Sequence, residues 1–274
     1  MLAAAIVPGV LIGAALGLLG GGGSVLTVPI FVYVLGFSPK EAIAMSLAVV
    51  AVTSAIGVAS HWRAGTVNIP IAIAFGAVAM PGTLLGVRLA RFVPGTTQLL
   101  IFAAVMLAAA VFMLRGRPSG DEPTSQPTVE RPLASALRVA PAGLLVGTLT
   151  GFVGVGGGFL IVPALVLMRM SIRQAVGTSL LVITGTCIVG FLGYLGHVQL
   201  NWTAVAFVAT GTVPGIMLGA YLHRFVPQAA LRRGFAAFLV VVAAFIFLEN
   251  LGPLSAVTRH SRSVHSGIQP WSAE

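Results

Sequence analysis

Apolar segments long enough to cross a lipid bilayer recur along the whole chain, and they restrict its fold more than any other feature. They cover approximately residues 2–35, 41–60, 69–89, 96–114, 137–168, 174–194, 202–222 and 229–251. A bilayer core of about 30 Å needs about 20 consecutive apolar residues in a helix. Only 8% of the residues are charged, whereas a soluble domain carries about 25%. The sequence therefore predicts an all-α, polytopic membrane protein surrounded by the lipid bilayer.

The net charge of +9 comes from basic residues that cluster in the connections between these segments. Such clustering is typical of the positive-inside rule for membrane proteins. No basic face with interleaved aromatic residues is visible, so nucleic acid is not a predicted partner. Cys187 is the only cysteine, which excludes an intramolecular disulfide and a cysteine-based metal cluster. We predict that its thiol packs inside a helix bundle.

The two halves of the chain carry the same pattern of glycines, prolines, hydroxyl residues and basic residues. The matches begin at an offset of 134 residues and, after the loss of one residue, continue at 133. They include Gly9, Gly13, Gly17 and Gly20 with Gly143, Gly147, Gly151 and Gly154, and the RFVP of residues 91–94 with that of 224–227. We predict a first membrane repeat over residues 1–114, a polar linker loop over 115–136, a second repeat over 137–254 and a flexible tail over 255–274.

The first segment of each repeat is too long for a single span and is interrupted by glycine. Residues 2–35 as one helix would extend about 50 Å, well beyond the hydrocarbon core. The glycine runs 20–23 and 156–158 predict either a broken single span or a hairpin in each repeat. If both are hairpins, ten basic residues lie on one side of the membrane and five on the other. The positive-inside rule favours that arrangement, with inverted repeats and a cytoplasmic linker.

Acidic residues are absent from the middle of every apolar segment, and Glu41 and Glu249 lie near segment ends. Cation and proton transporters usually keep a carboxylate within the membrane, so the sequence favours a neutral or anionic substrate. The segments also contain no paired aspartates, no H-E-x-x-H motif and no serine with a partner histidine. We therefore predict that the protein is not an enzyme and has no cofactor or metal.

The glycine runs are the strongest candidates for a binding site. Unwound backbone at membrane depth is tolerated only where protein or a water-filled cavity surrounds it. A helix that begins after such a break presents unpaired N–H groups and the positive end of its dipole, which bind anions. The predicted site residues are Gly20, Gly21, Gly22, Gly23 and Ser24 together with Gly156, Gly157 and Gly158. The alternative is close helix packing, which we favour for the glycines spaced four apart, from Gly9 to Gly17 and from Gly143 to Gly151.

Hydroxyl groups follow the glycine runs in the next segment of each repeat. Ser46 and the pair Thr178 and Ser179 lie at equivalent places, and we predict that they donate hydrogen bonds to the anion. The alternative for each is an interhelical bond or a bond to a carbonyl of its own helix. His61 lies at a segment end, where it is either an entrance group for anions or an interfacial anchor.

The doubled glycine motif also resembles that of a known family. The stretches GLLGGGGSVLTVPIF and FSPKEAIAMSLAVV, repeated as GFVGVGGGFLIVPALV and MSIRQAVGTSLLVI, are similar to those of the TauE/SafE sulfite exporter family. The stretch SHWRAGTVN looks like that family's H-x-x-x-G-x-V-[DN] segment. The likeness covers about residues 5–250 and implies a bacterial inner-membrane permease for sulfite, sulfoacetate or another small organosulfonate. Tyr194 lies near the place of His61 in the second half, so the two halves are expected to contribute unequally.

These observations together predict a secondary transporter for a small anion, with sulfite or an organosulfonate preferred. It would work by alternating access around the paired glycine breaks. An anion channel on the same scaffold and a non-transporting membrane scaffold are the alternatives. The direction of transport, the coupling ion and homo-oligomerisation stay open at this point.

Overall fold

The fold comes from a computed structural model of the chain, which describes residues 6–115, 132–167, 170–222, 233–234 and 236–250. Every regular element in these ranges is helical. Most of the predicted linker and all of the predicted tail lie outside the described residues.

The helices follow the predicted apolar segments, and the first segment is divided into several pieces. In chain order they are α1 (Ile6–Leu19), a 3-10 helix (Gly20–Leu26), α2 (Thr27–Pro29), a π-helix (Ile30–Val34), α3 (Pro39–Arg63), α4 (Ile69–Arg91), α5 (Gly95–Arg115), α6 (Pro132–Val153), α7 (Gly158–Leu167), α8 (Ile172–Tyr194), α9 (Trp202–Leu222) and α10 (Ala236–Asn250). Helix α6 begins at Pro132, earlier than the predicted start at residue 137. Proline is favoured in the first turn of a helix, where its missing N–H costs nothing.

Four helices are long and apolar enough to cross a bilayer. They are Pro39–Arg63, Ile69–Arg91, Arg173–Tyr194 and Trp202–Gly219, with 25, 23, 22 and 18 residues. In the stretches whose side chains the structure also describes, the other apolar helices cover 10–17 residues, such as Gly95–Val111 and Ala140–Val153. Several large apolar side chains face outward, including Leu145, Val241 and Leu248 at 62%, 66% and 75% exposure. These features confirm the prediction of an all-helical, multi-pass membrane protein.

Polar side chains fix where the long helices begin. Before α3, a Glu41 carboxylate oxygen accepts hydrogen bonds from Ser38 N at 3.1 Å and from Ser38 Oγ at 2.7 Å. Before α4 and α9, the Oδ1 atoms of Asn68 and Asn201 accept the N–H three residues on, at 3.2 and 3.0 Å. These bonds satisfy N–H groups that have no partner within the helix. Glu41 therefore serves a helix start, which is consistent with its place near a segment end.

Helix α1 packs lengthwise on α9 through facing glycines. A Cβ at Gly9 would lie 3.1 Å from Gly211 Cα, and a Cβ at Gly219 would lie 2.9 Å from Gly17 Cα. The contacts advance in the same direction along both helices, so α1 and α9 are parallel. Any larger side chain at these positions would force the two backbones apart.

Helix α6 packs on α4 in the same parallel way. A Cβ at Gly143 would lie 3.3 Å from Phe75 O, and one at Gly86 would lie 2.7 Å from Phe152 N. The same close approach is seen at Gly13, Gly147 and Gly151. These contacts confirm the prediction that the glycines spaced four apart allow close helix packing.

Helices α3 and α8 lie at the centre of the structure and run antiparallel. Near the middle of both, Thr184 Oγ1 donates a hydrogen bond to Ser54 Oγ at 3.0 Å. Towards the end of α8, a Cβ at Gly190 would lie 3.2 Å from Leu47 Cδ1, near the start of α3. These two helices are more deeply buried than the other two long apolar helices. Both glycine segments pack against these two helices.

Candidate functional site at the glycine turns

The first glycine run turns the chain back on α1. A 3-10 helix, Gly20–Leu26, follows α1 directly. A Cβ at Gly23 would lie 2.6 Å from Leu16 Cα, although seven residues of continuous α-helix would separate the two by about 10 Å. The chain then continues through α2 and the π-helix to the start of α3. Of the two arrangements that the sequence allows, the structure therefore has the hairpin.

The second glycine run turns the chain back on α6. A Cβ at Gly157 would lie against the Thr150 side chain, 3.2 Å from its Cβ. Gly154, Gly156 and Gly157 have φ angles of 77°, 62° and 64°, a left-handed conformation that only glycine adopts at little cost. Helix α7 then begins at Gly158. The second run is therefore also a hairpin, and its glycines are needed for the turn itself.

The second turn lies halfway along the two central helices. A Cβ at Gly156 would lie 2.8 Å from Val50 Cγ1, 3.0 Å from Cys187 Sγ and 3.3 Å from Ile183 Cγ2. Val50 and Ile183 are close to the middle of α3 and α8, respectively. Cys187 is fully buried there, which confirms its predicted packing role. The turn is therefore at the centre of the helix bundle.

Backbone N–H groups collect at this turn without partners. Residues 155–159 are buried, and within the described ranges no hydrogen bond is seen from their backbone N–H groups. On either side, Gly154 N donates to Thr150 O at 2.8 Å and Leu160 N donates to Gly157 O at 2.9 Å. A buried N–H group without an acceptor is costly. The turn therefore has an unused capacity to bind an acceptor such as an anion.

The two glycine segments are in contact with each other. The 3-10 helix of the first run packs against α7, α8 and α3. Gly23 and Ser24 are buried. The first glycine segment therefore packs against the helix that follows the second glycine run.

Ser46 is buried and holds the second glycine turn against α3. Its hydroxyl bonds to Gly154 O, and it also lies 2.9 Å from Ile43 O in its own helix. This combination of an interhelical bond and a bond to its own helix is the alternative to direct anion binding. It ties α3 of the first half to the turn of the second half.

Thr178, Ser179 and His61 lie together at another level of the bundle. Thr178 Oγ1 accepts a hydrogen bond from Asn68 N at 3.0 Å. Ser179 Oγ donates to a carbonyl of its own helix at 2.8 Å. His61 Nδ1 lies 3.1 Å from Thr66 Oγ1, in the connection between α3 and α4. Thr178 and Ser179 therefore lie near the beginning of α8, and His61 lies near the end of α3, at the same level of the bundle.

The predicted hydroxyl residues thus form two groups rather than one. A Cβ at Gly57 would lie 3.2 Å from Leu180 Cδ1, so Ser179 is level with the second half of α3. The helical stretch from residue 46 to residue 57 spans about 17 Å. Because α3 and α8 are antiparallel, Ser46 and Ser179 lie at opposite ends of the pair. Only the two glycine segments converge.

Comparison with known proteins gives a family for this geometry. The sequence model described as "Sulfite exporter TauE/SafE" matches residues 5–246. The chain belongs to the TauE/SafE family. The resemblance of the doubled glycine motif is thereby confirmed, and the matched region includes both glycine turns and the central helices. No solved structure matches the chain.

Relatives of this TauE/SafE chain come from distant organisms. A probable membrane transporter protein of Xylella fastidiosa is 34% identical over 252 residues, which cover 90% of this chain and 95% of the relative. The probable membrane transporter protein YdhB of Bacillus subtilis is 27% identical over 245 residues, with 87% and 96% covered. Together with the four long apolar helices, the family identifies a multi-pass membrane protein of a transporter family rather than an enzyme family.

Sequence reasoning missed two polar contacts that hold the end of α6 in this TauE/SafE chain. Tyr194 OH donates to Gly151 O at 3.1 Å, and Gln98 Nε2 donates to Phe152 O at 3.0 Å. These carbonyls belong to the last turn of α6, where the helix itself has no donor left. The repeat offset that pairs Tyr194 with His61 is a signal for the first contact. No pattern in the sequence indicates the second.

Proposed function

We propose that this TauE/SafE protein is a secondary transporter for a small anion, with sulfite or an organosulfonate as its substrate. The observation that carries the proposal is the set of buried, unbonded N–H groups at residues 155–159, within the described chain. They lie halfway along the two central helices, where an anion in transit needs protein donors in place of water. The description of the family as a sulfite exporter supports an oxyanion as the substrate class.

Binding by backbone amides suits release as well as capture. A helix end carries only about half an elementary charge, so it holds an anion less firmly than a buried arginine would. The arginine side chains of the central helices, Arg63 and Arg173, are exposed at helix ends. They favour the approach of an anion without retaining it at the centre.

We further propose that the two halves are inverted repeats. The first helix of each half packs on a helix of the other half, α1 on α9 and α6 on α4, and both pairs are parallel. The corresponding helices α3 and α8 are antiparallel. The packing of each first helix on a helix of the other half fits a pseudo-twofold axis in the membrane plane, as in other transporters with inverted repeats. Alternating access would then expose the contact between the glycine segments first to one side and then to the other.

The charge distribution supports an orientation for this arrangement. With a hairpin at each glycine turn, the positive-inside rule places the connection between α5 and α6 in the cytoplasm and both termini outside. Relatives in Xylella fastidiosa and Bacillus subtilis support a bacterial cell membrane, the inner membrane where there are two.

Flux measurements on purified protein in liposomes test the transporter proposal. We expect sulfite uptake that becomes concentrative when a proton or ion gradient is imposed. Flux that only equalises the two compartments under every gradient would favour the anion channel instead. Absence of any oxyanion flux would contradict both.

The role of the unbonded amides has its own test at Gly158. Gly158→Pro removes one N–H donor at the first position of α7, where proline is compatible with a helix. Gly158→Ala is the matched control, since it keeps the N–H. Losing one hydrogen bond to a charged group should lower sulfite flux about tenfold or more in the proline variant. Equal flux in correctly folded Pro and Ala variants would remove the amides from the site.

A further inference from the structure

Thr27 carries a buried hydroxyl that has no hydrogen-bond partner in the described chain. Its side chain is 0% exposed, and Oγ1 has neither a donor nor an acceptor within reach. Native proteins pair nearly all buried polar groups, because an unpaired one lowers stability. A bound ligand or a water molecule would satisfy this hydroxyl.

Other buried hydroxyls in the long helices do not have this problem. Thr178 Oγ1 accepts a hydrogen bond from Asn68 N. The others bond to a carbonyl three or four residues earlier, as seen for Ser46, Thr53, Ser54, Thr83, Thr150, Ser179, Thr186 and Thr212. Thr27 differs because the residues before it form the 3-10 helix Gly20–Leu26. Carbonyls of a 3-10 helix do not lie where an α-helix would place them. The first glycine run therefore deprives Thr27 of its usual acceptor.

Thr27 follows directly after the 3-10 helix of the first glycine run, which packs against α7. Helix α7 begins at Gly158, among the unbonded N–H groups of residues 155–159. The short helix that contains Thr27 also packs against α3. The unpaired hydroxyl thus directly follows the 3-10 helix, the unpaired amides lie at the start of α7, and these two helices are in contact.

We infer that Thr27 Oγ1 contacts the transported anion and donates a hydrogen bond to one of its oxygens. The inference rests on the proposed function, and it assigns different donors to the two halves. In the repeat, Ile161 takes the place of Thr27, and Gly158 takes the place of Ser24. The first segment therefore supplies a side-chain hydroxyl, and the second supplies backbone amides. A ligand that bridges them needs at least two acceptor oxygens, as in sulfite or a sulfonate, which a halide lacks.

The test compares Thr27→Val, which keeps the shape without the hydroxyl, with Thr27→Ser, which keeps the hydroxyl. The melting temperature of each purified protein is measured with and without sulfite, methanesulfonate and chloride. Sulfite uptake into liposomes gives KM and the maximal rate. Without an anion, we expect Thr27→Val to melt no lower than the unaltered protein, because no bond is lost.

With sulfite, the unaltered protein and Thr27→Ser should both gain thermal stability, and Thr27→Val should gain less than half as much. We expect the KM for sulfite to rise about tenfold in Thr27→Val, as for the loss of one hydrogen bond to a charged group. Chloride should stabilise all three proteins equally or not at all. Thr186→Val is the matched control, since its buried hydroxyl already bonds to its own helix at 3.1 Å.

Three results would overturn the inference. One is a full response to sulfite in Thr27→Val while the unaltered protein binds and transports it, which would leave the proposed function standing. Another is a lower melting temperature of Thr27→Val without an anion, which would place the hydroxyl in a structural bond. The third is the absence of stabilisation of the unaltered protein by any oxyanion, which would also contradict the proposed function.

Discussion

The two glycine turns have nearly the same sequence pattern and fold back in the same way, but they differ in backbone and in donors. The first is a 3-10 helix that leads through Ser24 to Thr27. The second is a turn with three left-handed glycines, followed at once by a regular helix. The first thus brings hydroxyl side chains to the contact between the halves, and the second brings backbone N–H groups.

Under the proposed repeat, this difference would mean that a duplicated segment became specialised without losing its fold. Both turns keep the close approach to the preceding helix, at Gly23 on Leu16 and at Gly157 on Thr150. The positions after the turn differ, with Ser24 and Thr27 in the first half where the second has Gly158 and Ile161. Under the proposed function, the ligand site is therefore asymmetric.

Adding a methyl group at each turn should have the largest effect and should separate the two turns. In Gly23→Ala the new Cβ meets the Leu16 backbone, which cannot move without α1. In Gly157→Ala it meets the Thr150 side chain. We expect each variant to lose about 3 kcal/mol or more, from overpacking and, at Gly157, backbone strain. Melting temperature and the yield of monodisperse protein in detergent measure the loss.

A second change distinguishes the two collisions. Thr150→Ala removes the atom that Gly157→Ala strikes, so the pair should recover part of the stability, whereas Gly23→Ala has no side chain to remove. Gly36→Ala is the control for strain alone, because Gly36 has a φ of 75° and nothing within 4 Å of its Cβ position. If Thr150→Ala restores no stability to Gly157→Ala, both turns behave alike and the two collisions are of the same kind.

Removing the serine hydroxyls that follow the turns should have an intermediate effect. Ser46→Ala takes away the bond to Gly154 O and leaves a buried carbonyl with one acceptor site unused. We expect a loss of about 1–3 kcal/mol. Ser179→Ala should cost less, because the described bond of Ser179 is to its own helix. If Ser179→Ala lowers the melting temperature as much as Ser46→Ala does, the Ser179 hydroxyl also makes a bond that holds a turn in place.

The smallest expected effect concerns Tyr194, which lies near the place of His61 in the second half. Tyr194→Phe keeps the ring and removes the hydroxyl that donates to Gly151 O at 3.1 Å. We expect a loss of about 1 kcal/mol, the net value of one neutral hydrogen bond. Arg91→Gln is the control, since that side chain is exposed and its guanidinium lies 3.4 Å from Gly193 O. An unchanged melting temperature in Tyr194→Phe would show that the end of α6 is held without it.

The sequence was sufficient for the all-helical, multi-pass architecture, because apolar length and glycine spacing act locally. It identified the over-long first segments, and it predicted that the glycines spaced four apart, such as Gly9 and Gly143, serve close packing. It was less informative about the hydroxyl residues. The pairing of Ser46 with Ser179 by offset gives no indication that antiparallel helices place them about 17 Å apart. Thr27 was not predicted, because its hydroxyl lacks an acceptor only when the residues before it form a 3-10 helix.

The exchange of partners between the halves bears on how the protein is made. Helix α1 leaves the ribosome early, but the glycine face with which it packs belongs to α9, Trp202–Leu222, near the other end of the chain. Helix α4 must likewise wait for α6. We therefore expect that neither half completes these contacts during synthesis, and that assembly follows the insertion of the last long helix. The glycines that give the mature protein its tight contacts thus also make its two halves inseparable during biogenesis.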